Sequence, residues 1–398
     1  MFSLKKQIDI AFVYFAIAAF FGVVLRLFAI ADIPINYKFF VHTHSHIALL
    51  GWVYVAITTL LYAVYLRKQQ VSSSYKWLFV FTQVTLIGML LTFPFQGYAL
   101  FSIIFSTLFL FASYWFTWFF IKKTPIYSKT LASFKMIKIA LIYLVISSIG
   151  PWALGAIMTV LGPLSIWYRM AIYFYLHFLY NGWMLLTLIG LFMYILEQHQ
   201  ILFSKKQFKV FVWVLNAGVI ATFFLSTLWT NPSIFFNVLG GIGALCQAIA
   251  FIFLGYVIYE KREKLKPIFS TFQIKILNSI ALLLGLKVVL QIASAFPYIA
   301  NLAATYLSFT IGYLHLTFLG VVSLSLFFLF DYFKIFSINK KSIYLYGIGF
   351  LGTEILIFYK GFAAWQKLTL FPYYFEALTA ASFLIALSLL LITVQKSK

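Results

Sequence analysis

Hydrophobic positions along this chain come in long, nearly unbroken blocks, and the polar residues are confined to the short segments between them. Blocks lie roughly at 9–30, 43–66, 77–94, 98–121, 136–158, 170–196, 208–229, 236–259, 272–293, 301–330, 342–359 and 374–394. About 20 apolar residues in a helix cross the hydrocarbon core of a bilayer, where every backbone polar group needs an internal partner. The pattern therefore predicts an all-α polytopic membrane protein of about twelve transmembrane helices, with residues 1–398 forming a single transmembrane domain. Pro34, Pro94, Pro125, Pro151, Pro163, Pro232, Pro267, Pro297 and Pro372 fall at or near the predicted ends. The boundary around Pro94 and Gly97 is the softest, and merging the two blocks beside it would leave eleven helices. Met1-Phe2-Ser3-Leu4-Lys5-Lys6 leads into a run longer than a signal-peptide core, with no small-residue cleavage site after it, so it reads as the approach to a first span.

Composition sharpens this picture. The chain is 64% hydrophobic, 21% aromatic and 9% charged. Its mean hydropathy of +1.01 leaves no room for a separate soluble domain. A net charge of +21 would suit nucleic acid, but the lysines are scattered through the loops between spans, so no nucleic-acid partner is expected. With alternating spans and a cytoplasmic N-terminus, all but six of the 29 basic residues fall on the cytoplasmic side, Lys396 and Lys398 included. The exceptions are Arg26, Lys38, Arg169, Lys287, Lys360 and Lys367. This bias predicts a multi-pass protein of the cytoplasmic membrane, in contact with its lipids and with both termini inside. The single Cys246 excludes an internal disulfide and a thiolate metal cluster, and it reads as a small buried hydrophobe.

The candidate chemistry lies in the histidines. Three of the six occur in Val41-His42-Thr43-His44-Ser45-His46, where the second block begins. His42 and His46, four apart, share a face of any helix that has already started there, and His44 points roughly the other way. His177 lies early in block six, with Tyr173 and Asn181 on its face and Tyr180 beside them. His315 lies in block ten between Gly312 and Gly320. The predicted topology puts these five on the outer half of the membrane and leaves His199, a solvated loop residue, on the cytoplasmic side. Imidazole ligates iron, copper and zinc and also carries protons. The same residues equally suit interfacial caps or an interhelical hydrogen-bond network.

Other polar groups bear on the choice. Arg26 and Arg169, at outer span ends, suit haem propionates or lipid headgroups. Lys287, with Gln291 four residues on, either snorkels outward or lines a polar interior. Glu354 and Glu376 are the carboxylates nearest the membrane, and Asp32 is the one acidic residue near the histidine-rich stretch. No carboxylate sits at depth in blocks two to ten, so a continuous proton path is poorly supported.

Twelve spans with histidines in the second, sixth and tenth resemble subunit I of the haem–copper oxidase superfamily, especially its divergent nitric-oxide-reductase-like relatives and the smaller haem- and copper-containing membrane proteins linked to nitric-oxide stress. The resemblance covers most of the chain through short motifs. It implies a subunit I-like bundle with a low-spin haem b between a span-two histidine, His46 or His42, and His315. His177 matches the first copper ligand, and His44 is a further candidate for copper. Tyr313 stands where the family places its high-spin haem ligand. The His-His pair that catalytic members carry in span seven is absent, since residues 210–230 contain no histidine. The expectation is thus a haem-binding, oxidase-like membrane protein engaged in electron transfer or with a small diatomic gas, NO or O2, and not a complete proton-pumping oxidase. Its partner would be a redox protein or a quinol. The alternative is a copper or zinc transporter or metal-insertion protein that loads at His42, His44, His46 and His177. A third reading is a membrane enzyme or structural protein without haem.

Overall fold

The computed structural model describes residues 3–201 and 203–394. Met1, Phe2, Lys396 and Lys398, which the sequence reading assigned to the termini, lie outside the described residues. Within them the chain is helical, with no strand. Twelve helices have the length and apolarity to cross a membrane. Spans one to four are Leu4–Leu27, Tyr37–Leu66, Ser72–Gln96 and Leu100–Lys123. Spans five to eight are Ala132–Val160, Ile166–Gln198, Lys205–Thr230 and Ile234–Glu260. Spans nine to twelve are Thr271–Ser294, Leu307–Tyr332, Lys340–Trp365 and Tyr374–Val394.

The soft boundary resolves into two helices. Gly97 takes φ 59° and ψ −138°, a conformation that side-chain-bearing residues avoid, and a Cβ there would lie 2.4 Å from the Phe39 ring. Pro151 does not mark a span end, as the sequence suggested. It lies inside span five, where its missing N–H leaves the Ser147 carbonyl without an i+4 donor, and the helix breaks at Ser148 before resuming at Ile149. Span two starts at Tyr37, six residues earlier than its apolar block. The Asn36 side chain accepts from the Lys38 and Phe39 amides and so caps the new end. Cys246 is half-buried, not fully buried.

The contacts divide the chain into two compact units, Met1–Pro125 with Leu326–Lys398, and Ile126–Ser325. In the first, span one packs against spans two and twelve. Phe15 stacks on Trp52 at 4.5 Å, and Phe12 meets Trp52 at 5.1 Å and Phe327 at 5.9 Å. Below them the buried Gln7 side chain accepts from Tyr75 at 2.9 Å and Thr59 at 3.4 Å. In the second unit span five packs along span six, and span seven along span eight. The Glu197 carboxylate, at the end of span six, caps span five by accepting from the Ala132 and Ser133 amides at 2.7 and 3.2 Å and from the Ser133 hydroxyl.

The histidine-bearing spans are the most deeply enclosed. In their most apolar stretches, 83% of residues are buried in spans two and six and 61% in span ten, against 22–50% in the others. Each has the same local design. The α-helix runs to a histidine, His46, His177 or His315, and the next turn widens into a π-helix, at Ile47–Tyr54, Phe178–Met184 and Leu316–Val322. A glycine follows each histidine by five residues, as Gly51, Gly182 and Gly320. Gly51 and Gly182 receive a tyrosine from the preceding span: a Cβ would lie 2.8 Å from Tyr14 Cγ and 2.6 Å from Tyr143 Cγ, respectively. The tryptophans after them, Trp52 and Trp183, are fully buried.

Candidate functional site

The histidines of the first unit diverge. His44 turns toward span one, where its Nδ1–H donates to the Ala18 carbonyl at 2.8 Å and its ring edge fills the space over Gly22. His42 and His46 lie on the opposite face. The His46 Nδ1–H donates to the His42 carbonyl one turn back at 2.8 Å, which fixes the tautomer and leaves Nε2 as the lone-pair nitrogen. The Tyr98 hydroxyl donates to that nitrogen at 3.3 Å. The His46 ring also stacks on Phe93 at 4.4 Å, while Tyr98 meets His42 edge-on at 4.7 Å. Tyr98 comes from the short turn that Gly97 makes possible, so that turn sets what covers the histidine pair. A carbonyl-anchored imidazole with its distal nitrogen facing one displaceable hydroxyl has the donor arrangement of an axial or metal ligand.

His177 is placed differently. It is 1% exposed. Its Nε2–H donates to the Val219 carbonyl of span seven at 2.8 Å, and its Nδ1 accepts from the Asn181 amide at 3.3 Å and the Ser226 hydroxyl at 3.5 Å. Both nitrogens are therefore held by protein, and the donor set does not fit the copper ligand that the family pattern would make of it. Span seven supplies two of these partners, Val219 from its α-helix and Ser226 from the 3-10 stretch Thr222–Thr230. Thr222 accepts from Gln247 Nε2 at 2.8 Å and donates to the Gly218 carbonyl at 2.7 Å, which extends the network to span eight.

A buried polar chain continues from His177. Asn181 and Tyr313 of span ten lie within electrostatic reach of the Tyr180 hydroxyl. The face of Tyr313 lies 5.8 Å from Lys287 Nζ. Lys287 is 0% exposed and donates to Gln291 Oε1 at 2.9 Å, so it lines the interior and does not snorkel. It forms no ion pair among the described residues. The buried Asn181 Oδ1 has no donor among the described residues. Side chains thus occupy the surroundings of Tyr313, where the family pattern would set a high-spin haem ligand. The lysine's burial was not legible in the sequence, but the recurrence of His-x-x-x-x-Gly in spans two, six and ten was, and it would have marked all three histidines as equivalent positions.

The remaining candidates are distributed around these features. His315 is half-buried at the last α-helical turn before its π segment. Arg169 is exposed and stacks over Trp229 at 4.1 Å, with Tyr173 against the same ring at 5.9 Å. Tyr173 therefore packs on the same Trp229 ring as the arginine. Arg26 lies within electrostatic reach of Tyr37, Tyr374 and the buried Glu354. His199 and Asp32 are exposed. Among the described residues, no three His, Cys, Asp or Glu side chains are grouped as a metal ion would need. The divergence of His44 from His46 also takes apart the loading site that the transport reading requires.

No protein-family model matches the chain, and no curated protein matches it in sequence.

Proposed function

We propose that the chain is a haem-binding, oxidase-like membrane protein that moves electrons or handles a small diatomic gas, without the complete binuclear centre of a proton-pumping oxidase. The observation that carries this reading is His46, an imidazole whose Nδ1–H is anchored on a carbonyl and whose Nε2 faces one tyrosine hydroxyl, within the deeply buried span two. On the family pattern His46 and His315 are the residues that would hold a haem b. Such a group, when bound, supplies one-electron redox chemistry. The chain's own part is to fix the imidazole tautomer through the His42 carbonyl and to hold the ring against Phe93. The occupied nitrogens of His177 weigh against a copper site there and so against oxygen reduction of the complete-oxidase kind. A redox protein or quinol as electron donor, and the cytoplasmic membrane as location, accompany this reading.

The test is an absorption spectrum of detergent-purified protein from haem-replete cells, oxidised and then reduced with dithionite. A sharp α band should appear on reduction, vanish in His46→Ala and in His315→Ala, and persist in His199→Ala. Absence of a Soret band in the wild type would sink the proposal.

A further inference from the structure

Three side chains of the first unit, His42, His46 and Tyr98, form a cluster of which a haem would use one nitrogen only. His42 and His46 are one turn apart in the α-helix Tyr37–His46, so both rings leave the same face with Cβ atoms about 5–6 Å apart. The Tyr98 ring closes over them, its centroid 4.7 Å from that of His42 and 5.8 Å from that of His46. The backbone on either side of Tyr98 is tied down, because the Ser102 hydroxyl donates to the Gly97 carbonyl and accepts from the Ala99 amide at 2.9 Å. A fixed turn therefore holds the phenol at the histidine pair.

The donor atoms suit a small transition-metal cation. The His46 Nδ1–H is anchored on the His42 carbonyl at 2.8 Å, the usual way of orienting a ligating imidazole, and Nε2 carries the lone pair. Neither ring nitrogen of His42 has a hydrogen-bond partner among the described residues. The Tyr98 oxygen stands 3.3 Å from His46 Nε2. That separation is long for a hydrogen bond, but it matches the ligand–ligand edge of a tetrahedral zinc site, about 3.3–3.4 Å for bonds of about 2.0–2.1 Å. Two histidines alone would not close such a site, and the phenol is the third donor. Tyr98 is exposed and both histidines are half-buried, so a hydrated cation reaches the cluster and a water can fill the fourth position. Lys38, one turn before His42, is exposed, so solvent screens its charge from the site.

We propose that His42, His46 and Tyr98 bind a zinc ion when no haem is present, through one ring nitrogen of His42, Nε2 of His46, the Tyr98 oxygen and a water. The site stands on these three side chains, and only its exclusion of haem, which would share His46 Nε2, rests on the haem proposal. The test is calorimetric titration of zinc into tag-free, haem-free, full-length protein in detergent, with cobalt(II) as the spectroscopic stand-in. One zinc should bind per chain, and cobalt should give the intense visible d–d absorption of a tetrahedral site. His46→Ala and Tyr98→Phe should each weaken zinc about 10–100-fold, the scale for losing a metal-site partner, and His199→Ala should leave it unchanged. Tyr98→Phe keeps the ring that packs on Phe93 at 5.1 Å, so an unchanged melting temperature separates lost ligation from lost folding. Zinc binding by a protein that shows no Soret band from haem-replete cells would remove the haem proposal and support the metal site. Absence of stoichiometric zinc, the weak absorption of octahedral cobalt, or full affinity in Tyr98→Phe would each overturn it.

Discussion

Replacing Lys287 and Gln291 singly and together isolates the energetics of the buried amine. Lys287 is 0% exposed and its Nζ has one hydrogen-bond acceptor, Gln291 Oε1, at 2.9 Å. Gln291→Leu removes that acceptor and leaves the buried amine without it, at a cost of about 1–3 kcal/mol. Lys287→Met removes the charge and its desolvation penalty but orphans the Gln291 carbonyl oxygen, which costs about 1–3 kcal/mol, so this variant should lie near the wild type. The double variant orphans nothing and should match or exceed wild-type stability by about 1–4 kcal/mol, the range seen when buried charges are replaced by apolar residues. The coupling energy should then exceed about 1 kcal/mol. Reversible unfolding in mixed micelles, with midpoint and slope both fitted, measures all four proteins. A cost below about 1 kcal/mol for Gln291→Leu, or additivity within about 0.5 kcal/mol, would refute the reasoning, because the amine would then have other solvation.

Two further predictions concern packing and capping. Gly182→Ala and Gly51→Ala should each lose about 1–3 kcal/mol, because the new methyl meets Tyr143 or Tyr14 at under 3 Å, while Gly285→Ala, with nothing within 4 Å, should be neutral or gain about 0.5–1 kcal/mol; micellar unfolding separates them. Glu197→Ala should cost about 1–2 kcal/mol by exposing the amides that begin span five, and proteolysis near Thr130 should rise, with Glu197→Gln recovering part of the loss.

Some of the site was legible and some was not, for identifiable reasons. The spans were legible because a bilayer imposes a length and an apolarity that no soluble fold demands, and twelve blocks became twelve helices. Span ends were less so: Asn36 extends span two by capping a polar turn that hydropathy discounts, and Pro151 reads as an end although a long membrane helix can break and resume across it. The opposed directions of His44 and His46 followed from helical periodicity alone. What each ring touches did not follow, because Ala18, Tyr98 and Val219 are distant in sequence and reach the histidines only through packing.

The sequence by itself determined a twelve-helix membrane protein with histidines in the second, sixth and tenth spans. Helix formation and membrane insertion are read from local composition, since backbone hydrogen bonds close within each segment. Only the tertiary structure decided which histidine keeps an available nitrogen. His46 and His177 have the same residue type, the same following π turn and the same glycine five residues on. The difference is that the lone-pair Nδ1 of the fully buried His177 is met by both Asn181 and Ser226, whereas the lone-pair Nε2 of the half-buried His46 meets the Tyr98 hydroxyl alone. A carbonyl fixes the proton on the nitrogen it meets, and a hydroxyl that donates leaves a lone pair there.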